Sequence, residues 1–429
     1  MASQKRSATS APSSEPLRKR RCIEAGPVRL TEVFSSGENV KHLYSEEPEF
    51  KSLPPPTLIR PTTRRPEPLT IRGLTYTKTI GHGSTCIVGV VETTVDSDPL
   101  DKPGTLFALK IVRKVVARSQ ENGRRVDGLV GNDYHFKNVE RICLGNLPWN
   151  PFVAGLITTD DDFFNLYTVL ELCVGGSLED FLESAGPQPP KDARFYFAGI
   201  SLGVDFLHRQ GLLHCDLKPD NILICPAGYP VLTDFGIVRK IEVLEKDQQE
   251  WYVCGTPSYM CPEIHVENAK LPPKCSSTII DWWSVGCTLF TLIEGGNPFV
   301  TNERLEPDTP EAIIERIVTR RFIRPIDSVP AGPNCKDLLT QFIHVDPHQR
   351  IGAKGTGLRE IQEHPWMRNI DWEKMHRREY LSPNQETMVP VKKQRHTAPL
   401  PRKLRVPRLE IWQPPTHLAY DPKAPKTPV

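Results

Sequence analysis

The order of local patterns along the chain predicts an α+β protein of two lobes, a small sheet-rich lobe followed by a larger helical one. Two observations carry this: short β-rich runs crowd the early part of the central block, and longer stretches of helical period fill the rest. Ile87–Glu92, Leu106–Val112 and Leu166–Leu172 are short and rich in β-branched or aliphatic residues, so they read as strands. One helical stretch near Tyr134–Leu144 interrupts them. A longer helix is expected over Lys191–Arg209, where Ala193, Phe197, Ile200, Val204 and Leu207 recur at 3.6-type spacing. The apolar Ile279–Ile293 and the segment Glu311–Thr319 complete the helical part.

A third observation sets the boundaries. Of 42 prolines, ten lie in residues 1–68, ten in 368–429, and 22 in the 299 residues between. The first 68 residues carry a net charge of +4 and residues 368–429 a net +7, which leaves −9 for the middle. The near-neutral total of +2 therefore hides an acidic centre between two basic, Pro-rich arms. Such arms bury too little apolar surface to offset the entropy of ordering, and are expected to be extended or disordered. The division is 1–68 as N-terminal arm, 69–172 as small lobe, 173–367 as large lobe and 368–429 as tail. Lys5-Arg6, followed after eleven residues by Arg18-Lys19-Arg20-Arg21, suits a bipartite nuclear-import signal, so the expected location is nucleus and/or cytoplasm. Nucleic acid is not an expected partner, because no base-stacking aromatic pattern accompanies the charge.

No run of 18 apolar residues occurs, so no membrane span is expected, and the opening MASQKRSATS has no apolar core of a secretory signal. Eleven scattered cysteines without a CxxC pair argue against a disulfide framework or a structural zinc site, and read as reduced packing residues.

Three segments carry chemistry. GHGSTCIV, residues 81–88, has glycines at 81 and 83 between two β-type runs, where a backbone without Cβ can approach a polyphosphate. Lys110 follows Gly83 by 27 residues inside the apolar FALK run, and a lysine there needs an anionic partner. Glu140, on the helix with Phe136, Val139 and Leu144, is the candidate. LLHCDLKPDNILI, residues 212–224, is the densest signal. Its Asp216, Lys218 and Asn221 offer a carboxylate to accept a hydroxyl proton, an ammonium for a transferring phosphoryl group and an amide for a metal ion. TDFG follows at 233–236, where Asp234 could hold magnesium bridging phosphates.

In this order of motifs, across residues 69–367, the sequence resembles the eukaryotic protein kinases. The resemblance implies a bilobal kinase fold and an ATP- and Mg2+-dependent enzyme that phosphorylates protein substrates, with a monomeric catalytic domain. It implies that Ile80, Gly81, His82, Gly83 and Ser84 cover the nucleotide. Lys110 would contact its α/β-phosphates and pair with Glu140. Adenine would lie among Val88, Ala108, Leu223 and the hinge backbone at Glu171 and Cys173, behind Leu170. Asp216 would be the catalytic base, with Asn221 and Asp234 as the magnesium ligands. Leu144, Leu156, His214 and Phe235 would form the family's regulatory spine. Glu263 would pair with Arg350, and Asp281 would brace the catalytic loop. Lys218 two residues after Asp216, and Thr256 in GTPSYMCPE, resemble the serine/threonine kinases. ARFYF, VCGTP and HPWMRNIDW look most like the AGC group.

Some positions depart from the pattern. Cys215 replaces the arginine that usually holds an activation-loop phosphate, and no Ser or Thr lies between Asp234 and Thr256. The two losses agree, and imply a loop that needs no phosphate and is held by packing of Trp251 and Tyr252. Cys86 replaces the usual third glycine. Residues 368–429 contain no Phe, so the phenylalanine-rich motif that ends many AGC kinases is missing. Ser177 and Thr291 occupy two positions where the group has acids that select upstream arginine, while Asp220 remains. The rival expectation is a nucleotide-binding scaffold of the pseudokinase type, which usually lacks at least one catalytic position; here each is filled.

Overall fold

The computed structural model describes residues 74–384, apart from 83–85, 94–103, 105, 114–115, 122–123, 130, 162–164, 243–254, 266–273 and 302–307. Both arms beyond these limits, Gly83 and Ser84 of the glycine segment, and Trp251 and Tyr252 lie outside the described residues.

The small lobe is a five-stranded antiparallel sheet in the order β1 (Leu74–His82), β2 (Cys86–Thr93), β3 (Leu106–Arg113), β7 (Asn165–Glu171) and β6 (Leu156–Asp161). Lys110 pairs with Val88 on one side and Thr168 on the other, and Ala108 with Val90 and Leu170. With a side-chain period of two, these residues share one face, and Phe107, Leu109, Tyr167 and Val169 share the other. The second set forms a separate small core with Val91 and Ile157. Ala108 and Leu170 instead join the main core, which continues into the large lobe. Register alone therefore aims Lys110 into the space between the lobes.

Between β3 and the helix α1 (Gly131–Asn146) stands a hairpin that the sequence reading did not anticipate, β4 (Val116–Glu121) paired with β5 (Arg124–Leu129). The expected strands and helices otherwise stand within a few residues of their predicted limits. In the large lobe, α2 (Leu178–Ala185) starts on a capping box, with Ser177 and Asp180 each satisfying the other's backbone N–H. The long α3 (Pro190–Arg209) has Pro190 in its first turn and His208 and Arg209 in its last, as the helix dipole favours. After β8 (Leu212–Leu213), β9 (Ile222–Ile224) and β10 (Pro230–Leu232) form a small hairpin, and β11 (Arg239–Lys240) pairs back on β8. α4 (Ile279–Glu294) is buried along nearly its whole length and packs against α3. Of the later helices, α5 (Pro310–Thr319) lies against the turns at 257–264, α6 (Pro333–Phe342) packs on α4, and α7 (Gly357–Glu363) and α8 (Trp372–His376) pack on α3.

The packed chain does not stop at residue 367, where composition places the boundary. α8 and the segment to Asn384 lie against the large lobe, with Tyr380 fully buried. Tyr229 donates its hydroxyl proton to the Tyr380 carbonyl at 2.6 Å, and the same oxygen accepts from the Tyr380 N–H at 2.8 Å. The Arg378 guanidinium stacks over Phe152 and Tyr229. Trp372, Met375 and Tyr380 belong to the core, and residues 385–429 carry nine of the tail's ten prolines and +6 of its net charge of +7.

None of the described helices is long and apolar enough to cross a membrane. The nine described cysteines are free thiols. Cys143, Cys261, Cys287 and Cys335 are buried, and burial pushes each thiol above its ordinary range. Cys86, Cys173, Cys215 and Cys275 are only partly buried, so the expectation of packing cysteines holds for part of the set.

Candidate active site

The cleft between the lobes collects its groups from four elements. From β3, the Lys110 ammonium reaches Glu140 Oε2 on α1 at 2.7 Å and Asp234 Oδ1 at 2.8 Å. Burial alone would favour a neutral Lys110, but the two carboxylates outweigh it and hold the lysine charged well above its ordinary range. Burial likewise pushes the Asp234 carboxyl up, and Lys110, with smaller help from His214 and Lys218, brings it below its usual value. Asp234 is thus an anion although half of its side chain is covered. Its backbone has φ +61°, a left-handed conformation costly for a residue with a Cβ and one that collects at functional sites.

From the loop after β8, Asp216 is saturated with donors. Thr256 donates its backbone N–H (2.9 Å) and hydroxyl (2.8 Å) to Oδ1. Asn221 Nδ2 (2.8 Å) and Lys218 Nζ (3.0 Å) reach Oδ2. Lys218 also donates to the Thr256 hydroxyl at 2.6 Å, so Asp216, Lys218 and Thr256 close a ring. The segment carrying Thr256 approaches so closely that a Cβ on Gly255 would stand 2.8 Å from the Cys215 carbonyl oxygen, and Gly255 has φ +128°. Only glycine fits there.

Beneath this loop, the fully buried Asp281 accepts from the N–H groups of His214 and Cys215 (both 2.9 Å) and meets His208 Nε2 at 2.8 Å. Burial opposes its charge, but these partners win and its carboxyl lies below the ordinary range. The left-handed Cys215, φ +67°, is held in place by this brace. Sequence reasoning assigned the brace to Asp281 and missed His208, whose only signal was its place on the inner face of α3. His214 and Phe235 are buried with ring centroids 5.2 Å apart. Leu144, Leu156 and Phe235 lie in the same core cluster. Arg350 forms a two-pronged ion pair with Glu263, at 2.7 and 3.1 Å.

Ala108 and Leu170 are buried on the sheet face above the cleft, Val88 and Leu223 are partly buried, and Ile80 is exposed. Gly81 and His82 end β1 and pair with Val88 and Ile87. Glu171 and Cys173 lie in the connection between the lobes, where Gly175 and Gly176 pair with Ile224. Lys110, Glu140, Asp234, Asp216, Lys218 and Asn221 thus come together, while Gly83 and Ser84 lie outside the described residues.

No cluster of three or more metal-binding side chains occurs among the described residues. The donor set nevertheless suits magnesium, which binds through one or two carboxylates and completes its shell with phosphate and water. Asp234 supplies an anionic oxygen. Asn221 spends its amide N–H on the Asp216 side chain and carbonyl, which leaves its amide oxygen as the remaining acceptor.

A five-stranded lobe over a helical lobe, with lysine, paired carboxylates and amide converging between them, defines a bilobal domain of the kinase type. The sequence model described as "Protein kinase domain" matches residues 74–367. The chain belongs to the protein kinase family. Similar proteins include a protein kinase C zeta type from Oryctolagus cuniculus, 29% identical over 315 residues that make up 72% of this chain and 48% of that protein. A cAMP-dependent protein kinase catalytic subunit from Arthrobotrys oligospora is 28% identical over 71% of this chain and 52% of its own length. A ribosomal protein S6 kinase beta from Caenorhabditis elegans is 31% identical over 71% of this chain and 50% of its own. The chain spans about half the length of these relatives, which belong to the AGC group that its motifs resemble.

Proposed function

We propose that this chain is an active ATP- and Mg2+-dependent serine/threonine protein kinase. The observation that carries the reading is the closed ring of Asp216, Lys218 and Thr256 within reach of Asn221, with Lys110 already paired to Glu140 and Asp234. In that arrangement a substrate hydroxyl would displace Thr256 or share Asp216 with it. The hydroxyl oxygen forms a bond to the γ-phosphorus as the bond to the β-bridging oxygen breaks, ADP leaves, and the hydroxyl proton passes to Asp216. Lys218 offsets charge on the moving phosphoryl group, and Lys110 grips the α/β-phosphates without having to reorient. Magnesium, held by Asn221 and Asp234, would neutralise the phosphate oxygens. Catalysis is then mainly positioning and charge compensation.

Cys215 cannot pair with a phosphate, which supports a loop that works unphosphorylated. The substrates are Ser/Thr-bearing proteins, the catalytic domain is monomeric, and the basic clusters in residues 1–68 support nuclear import from the cytoplasm. The test is transfer from labelled ATP with magnesium to protein acceptors, with Asp216→Asn beside it. Transfer lost in the variant is the expected result. No transfer by the natural chain, with ATP-dependent thermal stabilisation retained, would favour a nucleotide-binding scaffold instead.

A further inference from the structure

The connection between the lobes is gripped from behind by the turn that follows α1. Glu171, the last residue of β7, donates its N–H to the Gly155 carbonyl at 2.9 Å. Its side chain then lies flat against Gly155, where an added Cβ would stand 2.6 Å from the Glu171 carboxyl carbon and 2.7 Å from Oε2. A Cβ at 155 would have to swing the carboxylate end of this flexible side chain aside, so the seat it now occupies depends on the glycine. From the other end of the turn, the Trp149 indole N–H points at Glu171 Oε1 at 3.4 Å, a long hydrogen bond to a charged acceptor.

The same turn is fastened to the large lobe. Ala154 donates to the Leu232 carbonyl (2.9 Å) and Leu232 to the Phe152 carbonyl (2.8 Å), two residues before Asp234. Phe152 itself is fully buried beside Tyr229. One short segment, 149–156, therefore has fixed hydrogen bonds to the strand that leads into the metal-binding carboxylate and to the strand that ends in Glu171.

We infer that Trp149 and Gly155 are positioning residues for the nucleotide: by clasping the Glu171 side chain they set where the backbone of Glu171–Cys173 presents its hydrogen-bonding groups to the base. The inference rests on the nucleotide-binding role proposed above. The clasp touches neither Asp216 nor Lys110, so loosening it lowers affinity for ATP and leaves the transfer step nearly alone. Because the contact at Gly155 is steric and depends on the Glu171 side chain, the effect of a Cβ at 155 must vanish once that side chain is shortened.

The experiment is a double-mutant cycle in the full chain with Gly155→Ala, Glu171→Ala and the pair, read as KM for ATP, kcat and ATP-dependent thermal stabilisation. Gly155→Ala is expected to raise KM about 5–20-fold with kcat within about twofold, a discrimination of the size given by a few lost contacts. In the Glu171→Ala background the same change should move KM less than twofold. Trp149→Phe, which keeps the ring and removes the donor, should raise KM about two- to fivefold. Equal effects of Gly155→Ala in both backgrounds, or a fall in kcat as large as the rise in KM, would overturn the clasp. If the natural chain shows no ATP-dependent stabilisation, the nucleotide reading falls with it; if it does and Gly155→Ala binds ATP normally, only the clasp is lost.

Discussion

Two buried ion pairs anchor this molecule, and they are built differently. At the base of the large lobe, Arg350 is 1% exposed and meets both oxygens of Glu263. It also donates to the His344 carbonyl and stacks over Trp283 at 4.8 Å. In the cleft, Lys110 divides one ammonium between Glu140 and Asp234, and Glu140 Oε1 is left as a buried oxygen without a hydrogen-bond partner. The first pair meets the condition under which burying a charge is tolerable, with all three guanidinium nitrogens and both carboxylate oxygens hydrogen-bonded. The second leaves an acceptor open and lets half of Asp234 face the cleft. The strut spends its polar atoms within the protein, whereas the cleft pair leaves some of its own over.

Arg350→Ala offers the strongest challenge to that contrast. It should cost about 3–5 kcal/mol in urea unfolding, because Glu263 is left buried and uncompensated. Transfer per folded molecule should change little. Lys110→Met comes next and should reverse the ratio, with transfer down about 10²–10³-fold and stability lower by no more than about 2 kcal/mol. Equal destabilisation by the two variants would erase the distinction between strut and site.

A third base, only partly buried, widens the comparison, since it stays neutral where the other two are charged. Burial, helped by Arg209, pushes His376 down to about 4. Its ordinary value lies near 6.5, so the unfolded chain binds a proton there first. The stability it contributes is complete above pH 6.5 and is lost as pH falls towards 4, on the order of 3 kcal/mol in all. Comparing natural chain and His376→Phe melts at pH 7.5 and 5 checks this; parallel pH profiles would count against it. Asp234 shows the same sign in a lower window. Its depressed carboxyl contributes stability that is complete above about pH 4 and lost under stronger acid, damped by its exposure. The difference between natural chain and Asp234→Asn should therefore stay flat from pH 8 to 5. The smallest effect is at the tail: Tyr229→Phe removes a hydroxyl that both donates and accepts, and should cost about 1–2 kcal/mol.

The cleft was legible because its groups sit in short motifs. Asp216, Lys218 and Asn221 share six residues, and Lys110 interrupts an otherwise continuous apolar run that reads as a strand. Glu140 stood out as a candidate partner because a lysine in an apolar run needs an anion, and the family resemblance then assigned the pair; the pairing of Glu263 with Arg350 across 87 residues came from the resemblance alone. What sequence reasoning missed has physical causes too. The tail's packed segment was hidden because averaging over 368–429 let its Pro and basic residues outvote Trp372, Met375 and Tyr380. The hairpin before α1 carried an Asn122-Gly123 turn signal, but its strands lack the apolar alternation that marks a buried face. Trp149 and Gly155 gave no signal, because a glycine's fit against one carboxylate is visible only in three dimensions.

The two hydrogen bonds between Tyr229 and Tyr380 span 151 residues, and that distance sets a timetable. On a ribosome the hairpin of β9 and β10 emerges long before its fastening does. At a synthesis rate of about 5–20 residues per second, the hairpin's outer side waits roughly 8–30 seconds for Tyr380 to be made. Through that interval Tyr229 and Phe152 lack the cover of Arg378, and the fastening closes only after Tyr380 has been made.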